Sequence, residues 1–137
     1  MAERQRRQRG ALPRRAAAGE TRGHHRAAEL LLLRAEAEAA EREARRAKLL
    51  QLVPEVVEQL RARFGVRRAW LFGSLAWGGW HAGSDVDLAL DGLAADDLGE
   101  ASAQAAAQLG HPVEVFRIES LPTSFVERIR REGTEIR

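Results

Sequence analysis

Asp85 and Asp87 stand two residues apart in the run Ser84-Asp85-Val86-Asp87-Leu88-Ala89-Leu90. On a strand, both carboxylates share one face, because side chains alternate. Two carboxylates on one face repel, and a divalent cation relieves the repulsion. Oxygen ligands of this kind suit Mg²⁺ or Mn²⁺. Glu114 supplies a third oxygen ligand if its strand lies beside that of Asp85 and Asp87. Metals held in this way activate an attacking hydroxyl and stabilise a leaving oxyanion. Upstream, Gly73-Ser74 follows the apolar run Ala69–Phe72. Gly at a strand end lets the backbone approach a ligand, the adjoining N–H groups suit a phosphate, and Ser74 adds a hydroxyl.

These residues need a scaffold, and the period along the chain supplies one. Val66–Phe72 is expected to be a strand that ends at Gly73. Val86–Leu90 is a second strand, with Val86, Leu88 and Leu90 opposite Asp85, Asp87 and Ala89. Val113–Ile118 is a third, with Glu114, Phe116 and Ile118 on one face. Residues 94–109 read as an Ala- and Gln-rich helix stopped at Gly110, and residues 122–132 as a helix stopped at Gly133. The expected fold is α/β (α+β): a small mixed sheet flanked by helices.

Three segments are expected. Residues 1–25 are Arg-rich with almost no large apolar side chains, and so read as a disordered arm. Nucleic acid is a conceivable partner for it through phosphate contacts, but no aromatic residue interleaves to stack on bases. A solvated tail is the plainer account. Residues 26–53 are built of strong helix formers, with Glu38–Arg42 and Glu41–Arg45 four apart, and read as a long exposed helix. Pro54 is expected to interrupt it and to open a new helix over 54–64 that leads into the body, 54–137.

The chain has 22 basic and 20 acidic side chains, unevenly spread. Eight Arg lie in residues 1–28, whereas residues 49–137 hold nine basic and thirteen acidic groups, a net of −4. Without cysteine there is no disulfide or thiolate metal site. No apolar run of about 20 residues is available to cross a membrane, and the basic N-terminus lacks a signal-type apolar core. A cytoplasmic protein is expected.

The layout Gly73-Ser74, the ten-residue spacer Leu75–Ser84, then Asp85-Val86-Asp87 resembles the nucleotidyltransferases of the DNA polymerase beta superfamily. Leu71-Phe72 before it and Leu88 after it match the usual flanks. Within that superfamily the chain is most similar to the minimal nucleotidyltransferases, small domains often partnered with HEPN proteins. The stretch Phe125–Glu135 resembles that family's ending, and the resemblance covers about 54–137. It implies that Gly73 and Ser74 hold the triphosphate of a nucleotide, that Asp85 and Asp87 bind Mg²⁺ or Mn²⁺, and that Glu114 is the third carboxylate, assisting the attacking hydroxyl. It also implies transfer of a nucleoside monophosphate, AMP from ATP, to a hydroxyl of a HEPN-type toxin, in an antitoxin role. A binding module that neutralises its partner by contact is the second reading. An enzyme acting on a small molecule such as an aminoglycoside is a third, less favoured because no substrate-binding domain follows.

Trp77 stands where the family's pattern has Arg or Lys, three residues after the Ser. Arg67, Arg68 or a partner residue are the cations expected to stand in. Glu114 replaces the more common Asp. Trp77 and Trp80 read equally as a base- or partner-contacting pair and as packing against the last helix. His81 is expected to be an exposed loop residue, and His24 and His25 to be inert.

Overall fold

The computed structural model describes residues 2–137, with side chains from Arg22 onward. The first element is the helix α1, Ala2–Phe64. Residues 42–137 form one compact unit, separate from the residues before them. The residues read as arm and as long helix both fall within α1. Residues 22–25, expected to be unstructured, are helical and exposed, and the arm's proposed nucleic-acid contacts fall mostly on side chains outside the described residues.

Pro54 does not interrupt α1. It lies on the exposed side, while Leu49, Val53, Val56, Val57 and Leu60 around it are buried in the core. Proline cannot donate to the carbonyl one turn back, so one helical hydrogen bond is missing. Burial of five apolar side chains on the opposite side outweighs that loss, at roughly 1.5–3 kcal/mol each. For the same reason segment 26–53 is not exposed throughout. Leu30–Leu33 are exposed, but Leu49 and Val53 belong to the body.

Gly65, at φ 71°, ends α1 and releases the chain into β1, Arg68–Phe72. A short helix, α2, covers Ser74–Trp77. Then come β2 (Val86–Asp91), α3 (Leu98–Leu109), β3 (Val113–Arg117), α4 (Thr123–Glu132) and the two-residue β4 (Thr134–Glu135). The sheet order is β3-β2-β1-β4. β2 and β3 run parallel across the α3 crossover, while β1 is antiparallel to both β2 and β4. The architecture is the mixed α+β sheet with flanking helices that the pattern implies, with β4 as an added edge.

The period of two sorts the strands into two apolar layers. Leu71, Val86, Leu88, Leu90 and Val115 pack with the C-terminal part of α1, with Ala101 and Ala105 of α3, and with Trp80. Trp70, Phe72 and Ala89 face the other way, against Ile118 and Ile129 of α4, with Phe116 and Phe125 at the margin. Among the described residues no helix is long and apolar enough to cross a membrane.

Candidate functional site

Asp87 lies on the α4 face of the sheet, at the end where β1 finishes. It pairs with Phe72 across the antiparallel ladder and with Glu114 across the parallel one. Neighbouring strands are about 4.8 Å apart, so the two carboxylates stand side by side. Asp85 precedes β2 and is exposed, as is Glu114, whereas Asp87 is half-buried. Burial, then the charge of Glu114, then that of Asp85 push the Asp87 carboxyl up to about 6. All three causes act in the same direction, and no cation is among them. Such a group favours a proton or a metal ion over bare ionisation.

Among the described residues, no three His, Cys, Asp or Glu side chains close into a preformed metal cage. The donor chemistry nevertheless fits a hard divalent ion: Asp85, Asp87 and Glu114 are all oxygen ligands. The structure thus brings Asp87 and Glu114 together by register and sets Asp85 within electrostatic reach.

Gly73 sits at φ 75°, a conformation that L side chains rarely adopt. A Cβ there would meet the Asp87 carboxylate, 3.0 Å from its Cγ and closer to Oδ2. Absence of a side chain at 73 is what lets strand end and carboxylate share this space. Ser74 opens α2, and the Gly73 carbonyl accepts hydrogen bonds from Ala76 (3.1 Å) and Trp77 (2.8 Å) N–H groups. Gly73, Ser74 and the carboxylates therefore meet at one sheet end, as the spacing requires.

The two loop tryptophans part company. Trp80 is buried in the α1–α3 layer, its ring 5.6 Å from that of His111. Trp77 is 37% exposed, 6.0 Å from the Phe72 ring. Arg128 of α4 lies over it, with Cζ 4.5 Å from the ring centroid. Arg67 and Arg68 do not stand in for the missing cation. They sit at the opposite end of β1, where Arg67 pairs with Asp91 and Arg68 with Glu135. His81 is exposed, its Nδ1 accepting from the Gly83 N–H at 3.1 Å; its ring therefore serves the loop's own turn.

His111 has no signal in the sequence pattern, being a lone His between Gly110 and Pro112. It is buried, with Nδ1 3.3 Å from an Arg45 guanidinium nitrogen and Nε2 2.6 Å from the Ser84 carbonyl. Arginine only donates and a carbonyl only accepts, so the proton resides on Nε2. His111 thereby ties α1 to the residue immediately before Asp85.

The family profile of polymerase beta nucleotidyltransferases matches residues 55–137. Among solved structures, a minimal nucleotidyltransferase is 30% identical, with TM-score 0.54, over 61% of this chain and 89% of that one. A toxin–antitoxin structure with AMP-PNP is 21% identical, with TM-score 0.54, over 61% of this chain and 72% of that one. A mutant MntA-HpeT toxin–antitoxin is also 21% identical, with TM-score 0.55, over 61% of this chain and 70% of that one. Among curated proteins, none matches. The profile covers more than half of the chain, and its span holds the Gly-Ser and Asp-Val-Asp segments at the sheet end. The chain belongs to the polymerase beta nucleotidyltransferase family.

Proposed function

We propose that this domain is a metal-dependent nucleotidyltransferase that moves AMP from ATP onto a hydroxyl of a HEPN-type toxin partner, and so acts as an antitoxin. The observation that carries the reading is the convergence of Asp85, Asp87 and Glu114 at the sheet end, where all the influences on Asp87 raise its pKa. The AMP-PNP complex and the toxin–antitoxin pairs among its structural neighbours support the choice of nucleotide and partner.

Asp85, Asp87 and Glu114 would hold Mg²⁺ or Mn²⁺, which supplies Lewis-acid polarisation of phosphoryl oxygens. Gly73 and Ser74 would hold the triphosphate. Glu114 stands beside Asp87 and accepts the proton of the acceptor hydroxyl. The acceptor oxygen bonds to the α-phosphorus, the α–β bridging P–O bond breaks, and pyrophosphate leaves. The half-buried setting of Asp87 strengthens each of these electrostatic contacts relative to water.

A second reading has an observation of its own. Trp77 replaces a loop cation, and Leu30–Leu33 are 60–63% exposed on α1; both suit neutralisation of a toxin by contact. One experiment separates the two: incubation with labelled ATP, Mg²⁺ and a HEPN-type toxin protein. Label on that protein, lost in Asp85→Ala/Asp87→Ala, supports transfer. A stable complex without label sinks transfer in favour of contact.

A further inference from the structure

Trp77 and Arg128 are far apart in sequence, yet they form one surface. Phe125 of α4 packs edge-on against Phe72, with ring centroids 5.8 Å apart and planes at 85°. Phe72 in turn is the ladder partner of Asp87. One turn further along α4, Arg128 lies on Trp77, which follows Gly73-Ser74 on α2. The aromatic contacts therefore fix both the cation and the ring that carries it beside the carboxylate end of the sheet.

The other arginines around this end are engaged elsewhere. Arg46 reaches the Leu75 carbonyl from α1 and pairs with Glu43. Arg130 lies over Trp70, towards the opposite end of β1. Arg131 is 71% exposed, with only a 3.8 Å contact to Glu132 and, among the described residues, no aromatic ring beneath it to hold it in place. Arg128 pairs with Glu132 as well, Nε to Oε2 at 2.8 Å, but both side chains are about half exposed. Such a surface pair contributes little and is readily exchanged for a stronger anion. A guanidinium stacked on Trp keeps its N–H edges free to face a ligand, and binds phosphate oxygens through charge-assisted hydrogen bonds.

We infer that Arg128, seated on the Trp77 ring, is the phosphate-binding cation of this chain's nucleotide site, taking the place that a loop Arg or Lys would otherwise fill. This inference rests on the nucleotidyltransferase reading above. Its ligand is the charged tail of a nucleoside triphosphate, not the base.

The test is binding of ATP and of adenosine to the full chain with Mg²⁺, for the wild type, Arg128→Gln, Glu132→Gln and the double variant Arg128→Gln/Trp77→Arg. Arg128→Gln is expected to weaken ATP binding about tenfold or more, the scale of one charge-assisted contact, and to leave adenosine within about twofold. Glu132→Gln, which frees Arg128 from its pair, is expected to bind ATP at least as well as the wild type. The double variant returns a cation to the loop and recovers most of the lost ATP affinity. Equal ATP binding by wild type and Arg128→Gln overturns this inference alone. So does equal loss of ATP and adenosine, which marks a structural role. A wild type that binds no ATP overturns the nucleotide reading and this inference with it.

Discussion

Gly73 and Asp87 are fitted to each other: a Cβ on residue 73 would stand 3.0 Å from the Asp87 Cγ, and closer still to Oδ2. The backbone at 73 is also left-handed, at φ 75°. Gly73→Ala therefore meets two penalties, one conformational and one steric. The expected loss is about 2 kcal/mol or more, the sum of a positive-φ cost of roughly 1 kcal/mol and displacement of the carboxylate. Thermal melts with and without Mg²⁺ read both effects. An unchanged melting temperature together with an unchanged Mg²⁺ response would contradict the fit.

The raised pKa of Asp87 sets a pH dependence with a definite sign. Its ordinary value is 3.8 and its folded value about 6. Between these values the folded protein holds a proton that the unfolded chain has released. Stability therefore increases as pH falls through about 6, and above that pH the ionised carboxylate is a full penalty. In chelator at pH 7.5, Asp87→Asn is expected to be more stable than the wild type by about 1 kcal/mol, after discounting for solvent screening. It should also lose the wild type's gain between pH 7 and 5. Urea titrations at several pH values check this, and parallel profiles for the two proteins would refute it.

His111 links Arg45 to the Ser84 carbonyl beside Asp85. His111→Ala leaves that carbonyl without its donor and opens space next to Trp80. A cost of about 2–3 kcal/mol is expected, with a smaller Mg²⁺-induced rise in melting temperature because Asp85 is less well held. Arg45→Gln should cost less than 1 kcal/mol, since its guanidinium is exposed. If His111→Ala melts like the wild type, the tether has no energetic role.

Pro54 lacks the N–H that would complete α1, and its ring points to solvent. Pro54→Ala restores one helical bond and removes a steric clash, against some added freedom in the unfolded chain. A net gain of about 1–2 kcal/mol is expected in urea unfolding. A loss would mean that the body depends on a proline-shaped α1.

Much of this was legible from residue types and spacing. The period of two set Asp85 and Asp87 on the face opposite Val86, Leu88 and Leu90, and set Glu114 with Phe116. Parallel pairing then brings Glu114 beside Asp87, as a third ligand requires. Other features depend on contacts between distant segments. Pro54 is a strong local breaker, and only the burial of Val53, Val56 and Val57 against the sheet overrides it. Two residues, Thr134–Glu135, are too few to show a period, so β4 has no pattern to read. Nothing near Gly110 or Trp77 announces that His111 reaches Ser84 or that Arg128 covers the indole ring.

The sheet's margins bear on how the molecule keeps company. β4 offers only two residues, and Glu135 on it is paired with Arg68. On the other margin, β3 is five residues long and bears Glu114 and Arg117. A two-residue border on one side and a charged one on the other are poor templates for recruiting a foreign strand. Self-polymerisation by strand addition is thus discouraged at both borders, and association with another macromolecule falls to side-chain surfaces instead of backbone pairing.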